Sequence, residues 1–193
     1  YAIRELNKAA PEGTITLVDS GAHRAFMGHY WESTKPNAYL TATSLAPMGW
    51  AIPAVIGAKL ARLERPHVAV TGDGCMLMHG IELQTAARNR IPFVLVVINN
   101  SALGNVYLRT IKDTAAMGKA SQSVAKLQTH DWVGFAKSLG ATGVKVEKPS
   151  QLAGAFEEAF AHDKSPFLVD VRCDATVKTP IGPWAPVQAL THD

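Results

Sequence analysis

VAVTGDGCMLMHGIELQTAARNRIPFVLVVINNSALG, residues Val68–Gly104, holds two apolar runs of strand length. Gly72-Asp73-Gly74 follows the first run and Asn99-Asn100 follows the second. About twenty residues of helical character lie between them, with Ile81–Arg90 as the expected helix. A strand–helix–strand unit of this kind sets two strands parallel and puts their carboxyl ends side by side. That edge is where open α/β sheets bind ligands. Asp73 and Asn100 would offer two hard oxygen ligands there, a pair suited to Mg²⁺ held with a phosphate group.

The pattern continues outward on both sides. Residues 1–10 read as an amphipathic helix with Ile3, Leu6 and Ala10 on one stripe. Thr14–Asp19 is a β-branched strand ending in the small-residue loop Ser20-Gly21-Ala22-His23, and a helix is expected over Ala25–Trp31. Ala38–Thr43 is a second short strand. An apolar helix, Ala51–Leu63, carries Ala54, Gly57, Ala58 and Ala61, small residues that suit close packing on a neighbour. His67–Thr71 and Phe93–Ile98 are the strands of the central unit. Residues 104–130 are polar and read as helix plus loop, a candidate lid. Asp131 reads as the N-cap of a helix Trp132–Leu139 that Gly140 ends. Thr142–Val146 and Phe167–Arg172 are strands flanking a helix Gln151–His162 entered through Pro149-Ser150. From about Thr176 the chain carries Pro180, Pro183 and Pro186 and should be irregular. Strand and helix alternate about six times. The expectation is a single α/β domain over residues 1–193: a doubly wound, mostly parallel six-stranded sheet with helices on both faces.

Bulk properties narrow the function. The chain has 193 residues, 47% of them hydrophobic and 18% charged, which suits a globular domain with a full core. A net charge of +3 with dispersed basic residues argues against nucleic acid as a partner. Apolar runs are too short to span a bilayer, so no membrane is expected. Cys75 and Cys173 lack metal-ligand spacing, and a reduced cytoplasm is the expected compartment. The chain opens at Tyr1 without Met and inside a helix, as part of a longer protein or a processed subunit would.

Asp73 to Asn100 spans 27 positions, and that GDG…NN pair resembles the signature of thiamine diphosphate (ThDP) enzymes. Leu45-Ala46-Pro47-Met48-Gly49-Trp50-Ala51-Ile52-Pro53 is similar to the segment that sets an apolar wedge under this cofactor. Asp19-Ser20-Gly21-Ala22-His23 is similar to the first diphosphate-side loop. Nearly the whole chain resembles the diphosphate-binding (PP) domain of acetolactate synthase-like enzymes. The resemblance implies that Asp73 and Asn100 ligate Mg²⁺ by side-chain oxygens and Ala102 by its carbonyl. It implies that Gly72, Gly74 and Cys75 lie against the diphosphate, with Gly21, His23, Leu103 and Gly104 bordering it. Met48 would be the wedge, and the Ala46 carbonyl would accept a hydrogen bond from the cofactor's amino group. Cys75 stands where Ser is usual, and its thiol reads as a packed group rather than a nucleophile. His79 and Glu82 read as helix-start and bridging residues, and His29, Tyr30 and Trp31 as an aromatic cluster near the substrate side.

The same resemblance implies what lies elsewhere. A pyrimidine-binding (PYR) domain supplies the glutamate that activates the cofactor, so no catalytic residue is expected in this chain. The partner would be a PYR chain or segment in a homo- or hetero-oligomer, with a 2-oxo acid as substrate and decarboxylation or carboligation as the reaction. The loop Asn99–Tyr107 is most similar to acetolactate synthases, although Arg109 stands near their Trp and Ala22 replaces their Gln. The chain's length also matches β subunits of split decarboxylases acting on sulfopyruvate or phosphonopyruvate. A non-catalytic assembly module and a dinucleotide-binding domain are weaker readings, since the site residues are intact and no G-x-G-x-x-G follows the first strand.

Overall fold

The computed structural model describes residues 1–180. Its centre is a six-stranded, wholly parallel sheet. The strands are β1 (Ile15–Val18), β2 (Tyr39–Thr41), β3 (His67–Gly72), β4 (Val94–Asn99), β5 (Thr142–Val146) and β6 (Phe167–Arg172). Their spatial order is β2-β1-β3-β4-β6-β5.

Each strand's alternation sends its side chains to two cores. Val68 and Val70 of β3, with Val94 and Val96 of β4, pack on α1 (Ala2–Ala9), α2 (Ala22–Tyr30) and α10 (Leu152–Ala161) through Leu6, Met27 and Phe156. Ala69, Leu95 and Val97 face the opposite way, onto α3 (Ala51–Ala61), α5 (Leu83–Arg88) and α9 (Trp132–Ser138), through Ile52, Val55, Leu83 and Trp132. Burial on both faces is why β3 and β4 are continuous apolar runs. Truncating a fully buried contact such as Leu95 to Ala would cost about 2–5 kcal/mol.

Several boundaries depart from the sequence expectation. The helical stretch after β3 begins at once, as α4 (Asp73–His79), passes through a 3₁₀ turn at Gly80–Glu82 and continues as α5. α2 starts at Ala22, three residues earlier than expected. On α3, Ala51, Ile52, Val55 and Ile56 are buried in the core and Ala54 and Ala58 pack against it, while Gly57 and Ala61 are exposed. Residues 104–130 fold into α6 (Gly104–Lys112), α7 (Thr114–Met117) and α8 (Ser121–Ala125). The expected cap is present, with the Asp131 carboxylate accepting from the Gly134 amide at 2.9 Å. Residues 176–180 are irregular, as expected, and Pro183 and Pro186 lie outside the described residues.

The chain order turns at one place. β1 leads outward to β2, whereas β3 lies on the other side of β1 and leads away through β4. The carboxyl ends of β1 and β3 therefore flank the switch point, where doubly wound sheets form a crevice.

Candidate functional site

Asp19 closes β1 at that crevice and is 1% exposed. Its Oδ1 accepts from the Ala51 amide at 3.3 Å and its Oδ2 from the Thr71 hydroxyl at 2.8 Å. One carboxylate thus joins the end of β1, the start of α3 and the end of β3. Burial pushes its pKa up, while the Thr71 and backbone hydrogen bonds pull the other way. The Cys75 thiol adds a second tie by donating to the Ser20 carbonyl at 3.2 Å. Burial raises that thiol to about 11, so it remains protonated, a packed group as expected.

His23 is buried beneath the first loop. Its ring sits beside Gly72, where a Cβ would come within 3.3 Å of the imidazole. Gly21 has a φ of 153°, and a Cβ there would fall 2.6 Å from the same ring. Burial lowers the His23 pKa to about 4, which keeps the ring neutral, and its Nε2 has no hydrogen-bond partner among the described residues.

Asp73 opens α4 and is 3% exposed. Its Oδ1 accepts from the Gly74 amide at 3.0 Å, whereas its Oδ2 is buried with no hydrogen-bond partner among the described residues. Burial raises its pKa, and the amides of Gly74, Ser101 and Ala102 oppose that rise. The β4 loop is thereby seated against Asp73. Within the loop, Asn100 Oδ1 accepts from the Ala102 amide at 3.2 Å. Gly104 begins α6 so close to Asn100 that a Cβ would meet its amide nitrogen at 2.9 Å. Gly74 is as tightly bounded: a Cβ there would lie 2.7 Å from Leu103 Cδ2 and 3.1 Å from Met48 Cε.

These groups line a cavity of about 480 Å³. Gly21, His23, Met48, Gly72, Asp73, Gly74, Cys75, Asn100, Ala102, Leu103 and Gly104 all reach it. Ala46, the remaining expected residue, is not among its lining, and stands in the left-handed region at φ 52°. Leu127 was not anticipated, yet its Cδ1 approaches Gly74 at the same place as Met48 and Leu103. It lies in a polar stretch without periodicity, which gave no sequence signal. Arg172, from β6, also lines the cavity. His79 is exposed against the Gly49 turn, Glu82 accepts from Thr85 at 2.9 Å, and Arg109 forms an exposed ion pair with Asp113 at 3.6 Å. Tyr30 lies under the Arg4 guanidinium, 4.8 Å from the ring centre, and edge-on to His29. No helix of the described residues is long and apolar enough to cross a membrane.

Comparison with known proteins gives this geometry its context. Residues 19–171 match the family model "Thiamine pyrophosphate enzyme, C-terminal TPP binding domain". The chain is 35% identical over 170 residues to a thiamine pyrophosphate-containing protein of Bacillus subtilis, covering 88% of this chain and 28% of that one. It is 31% identical over 175 residues to the acetolactate synthase of the same organism, covering 89% and 29%. A sulfoacetaldehyde acetyltransferase of Castellaniella defragrans is 29% identical over 181 residues, covering 92% and 30%. The thiamine diphosphate-dependent 4-hydroxybenzoylformate decarboxylase of Rhodococcus jostii RHA1 superposes with a TM-score of 0.78 at 25% identity, over 89% of this chain and 32% of that one. The chain therefore spans under a third of the length of each of these relatives. With a family match that runs from Asp19 at the end of β1 into β6, the chain belongs to the thiamine pyrophosphate enzymes, as their C-terminal cofactor-binding domain.

Proposed function

We propose that this chain, as one PP domain over residues 1–193, holds the diphosphate end of ThDP together with Mg²⁺ in an acetolactate synthase-like assembly. The observation that carries this reading is the Asp73 carboxylate, buried and with Oδ2 unpartnered among the described residues, facing the Asn100–Ala102 loop. An anionic oxygen kept out of water is costly unless a cation meets it. Asp73 and Asn100 oxygens with the Ala102 carbonyl form a hard-oxygen set of the kind Mg²⁺ takes, leaving positions for diphosphate oxygens and water. Neutral His23 lines the same cavity without adding charge. Leu103, Leu127 and Met48 give the site an apolar wall that excludes water and supports the bound ring system.

When bound, ThDP stabilises the carbanion left by breaking the bond beside the carbonyl of a 2-oxo acid. The residues of this chain bind and orient, and the activating glutamate comes from a PYR domain on a partner chain or another segment. The likeness to acetolactate synthase and sulfoacetaldehyde acetyltransferase favours transfer of the resulting acyl unit to an acceptor over simple decarboxylation. A subunit of a split decarboxylase would use the same site, with the PYR domain on a separate chain.

Titration with ThDP and Mg²⁺, followed by calorimetry and near-UV circular dichroism, tests the reading. Saturable, Mg²⁺-dependent binding is expected, raising stability by about 2.7 kcal/mol at a hundredfold excess over Kd. Asp73→Ala is expected to abolish it. A wild-type chain that binds no ThDP with Mg²⁺ would mark it as a non-catalytic module. Turnover of a 2-oxo acid by the isolated chain would overturn the need for a PYR partner.

A further inference from the structure

Ser101 lies between Asn100 and Ala102 and has a φ of 52°. The left-handed region is unfavourable for a residue with a Cβ, so such a conformation persists only where its surroundings enforce it. Here the surroundings are specific. Ser101 Oγ accepts from Arg172 Nη2 at 3.2 Å and shares a hydrogen bond with Thr129 Oγ1 at 3.0 Å. Its carbonyl accepts from the Leu127 amide at 2.8 Å. On either side, Ala102 bridges to Lys126 and the Leu103 amide donates to the Ala125 carbonyl at 2.8 Å. Below, Asn99 Nδ2 donates to Asp170 at 2.8 Å, fixing the end of β4 to β6. The loop that faces Asp73 is therefore held from two directions, by β6 and by residues 125–129.

We propose that Ser101 is a positioning residue for the cation, gripped by Arg172 and Thr129 so that Asn100 and Ala102 present their oxygens to one point. This rests on the ThDP–Mg²⁺ reading above. Gly would take a positive φ at no steric cost; Ser at this position supplies a hydroxyl, and both of its neighbours use it. Arg172 acts here as a donor and not as a charge. A guanidinium close to a cation site repels the cation, so its electrostatic effect alone would weaken binding. Asp170 and Glu147 both lie within the reach of that positive charge, which partly offsets it.

Positioning and charge give opposite signs, which makes the test decisive. Binding of Mn²⁺, as a paramagnetic stand-in for Mg²⁺, would be measured by electron paramagnetic resonance in the presence of ThDP. Unfolding of the cation-free chain would be followed alongside. Ser101→Ala and Arg172→Met are expected to weaken Mn²⁺ by about tenfold or more, the usual effect of removing a group that orients a metal ligand. Thr129→Val removes one of the two hydroxyl contacts and should give a smaller loss. Ser101→Gly relieves the backbone cost, so it should unfold no earlier than wild type while still losing cation affinity. A merely structural role would move stability and affinity together. Unchanged affinity in Ser101→Ala, or tighter binding in Arg172→Met, overturns the inference. Failure of the wild-type chain to take up Mn²⁺ with ThDP overturns the underlying reading instead.

Discussion

His23 shows what burial does to a single side chain. Its pKa is depressed from 6.5 to about 4 because desolvation disfavours the imidazolium. Above about pH 6.5 the ring is neutral both folded and unfolded, and its contribution to stability is fully present. As pH falls toward 4 the unfolded chain takes up the proton first, and about 3 kcal/mol is lost. Asp19, Asp73 and Asp170 act with the opposite sign. Burial raises their pKa values, so folding loses stability as pH rises above the ordinary carboxylate range. The difference between wild type and His23→Gln isolates the histidine: urea unfolding from about pH 7 to pH 4 should show a steeper loss in the wild type. Parallel pH profiles would refute it. Asp73 and Asn100 were expected at one sheet edge because each follows an apolar strand, and His23 through the resemblance of its loop; all three line the cavity. Asp19's linkage to Thr71 and Ala51 was not, since its partners lie 52 and 32 positions away.

Among the elements, the strands were the most readable. β3 and β4 are buried on both faces and so announce themselves as continuous apolar runs. Helix ends were legible where a side chain makes the cap, as at Asp131. Asp131→Ala should lower stability by about 1 kcal/mol, read from the denaturation midpoint. Cofactor affinity should hold, because α9 lines no part of the cavity. A matching fall in affinity would show that α9 is coupled to the site. A helical stretch was expected after β3 with its defined helix at Ile81–Arg90, but α4 already starts at Asp73. Its start is dictated by close packing of Gly74 under Met48, Leu103 and Leu127, which tertiary structure alone brings together. Of the small residues of α3, Ala54 and Ala58 pack on the core as expected, whereas Gly57 and Ala61 face outward. Periodicity finds an apolar helix, but its facing is set by where β1 and β3 lie.

At the scale of the molecule, one surface beside the site is apolar and uncovered. Leu45 is 90% exposed, and Leu77, Met78 and Ile81 are each more than half exposed. The Gly49 turn packs on Met78, which links this surface to the wedge segment. Patches of this kind mark association sites. Two copies of this chain are expected to meet through this surface. Sedimentation velocity should show concentration-dependent association of the wild-type chain, lost in the Met78→Glu, Ile81→Glu double variant with its far-UV circular dichroism unchanged. A wild-type chain that stays monomeric at all concentrations would refute self-association through this face.

The sequence by itself determined the alternation of strands and helices and the polar residues that close β1, β3 and β4. Both are local: hydrophobic period and turn residues act over a few positions. The tertiary structure decided the strand order, and with it the switch point that brings Gly21 and His23 against Gly72. It also decided which distant groups complete the site: Thr71 and Ala51 on Asp19, Leu127 beside Gly74, Arg172 and Thr129 on Ser101. Such pairings are fixed by packing and hydrogen-bond satisfaction across the whole chain, and no local pattern encodes them.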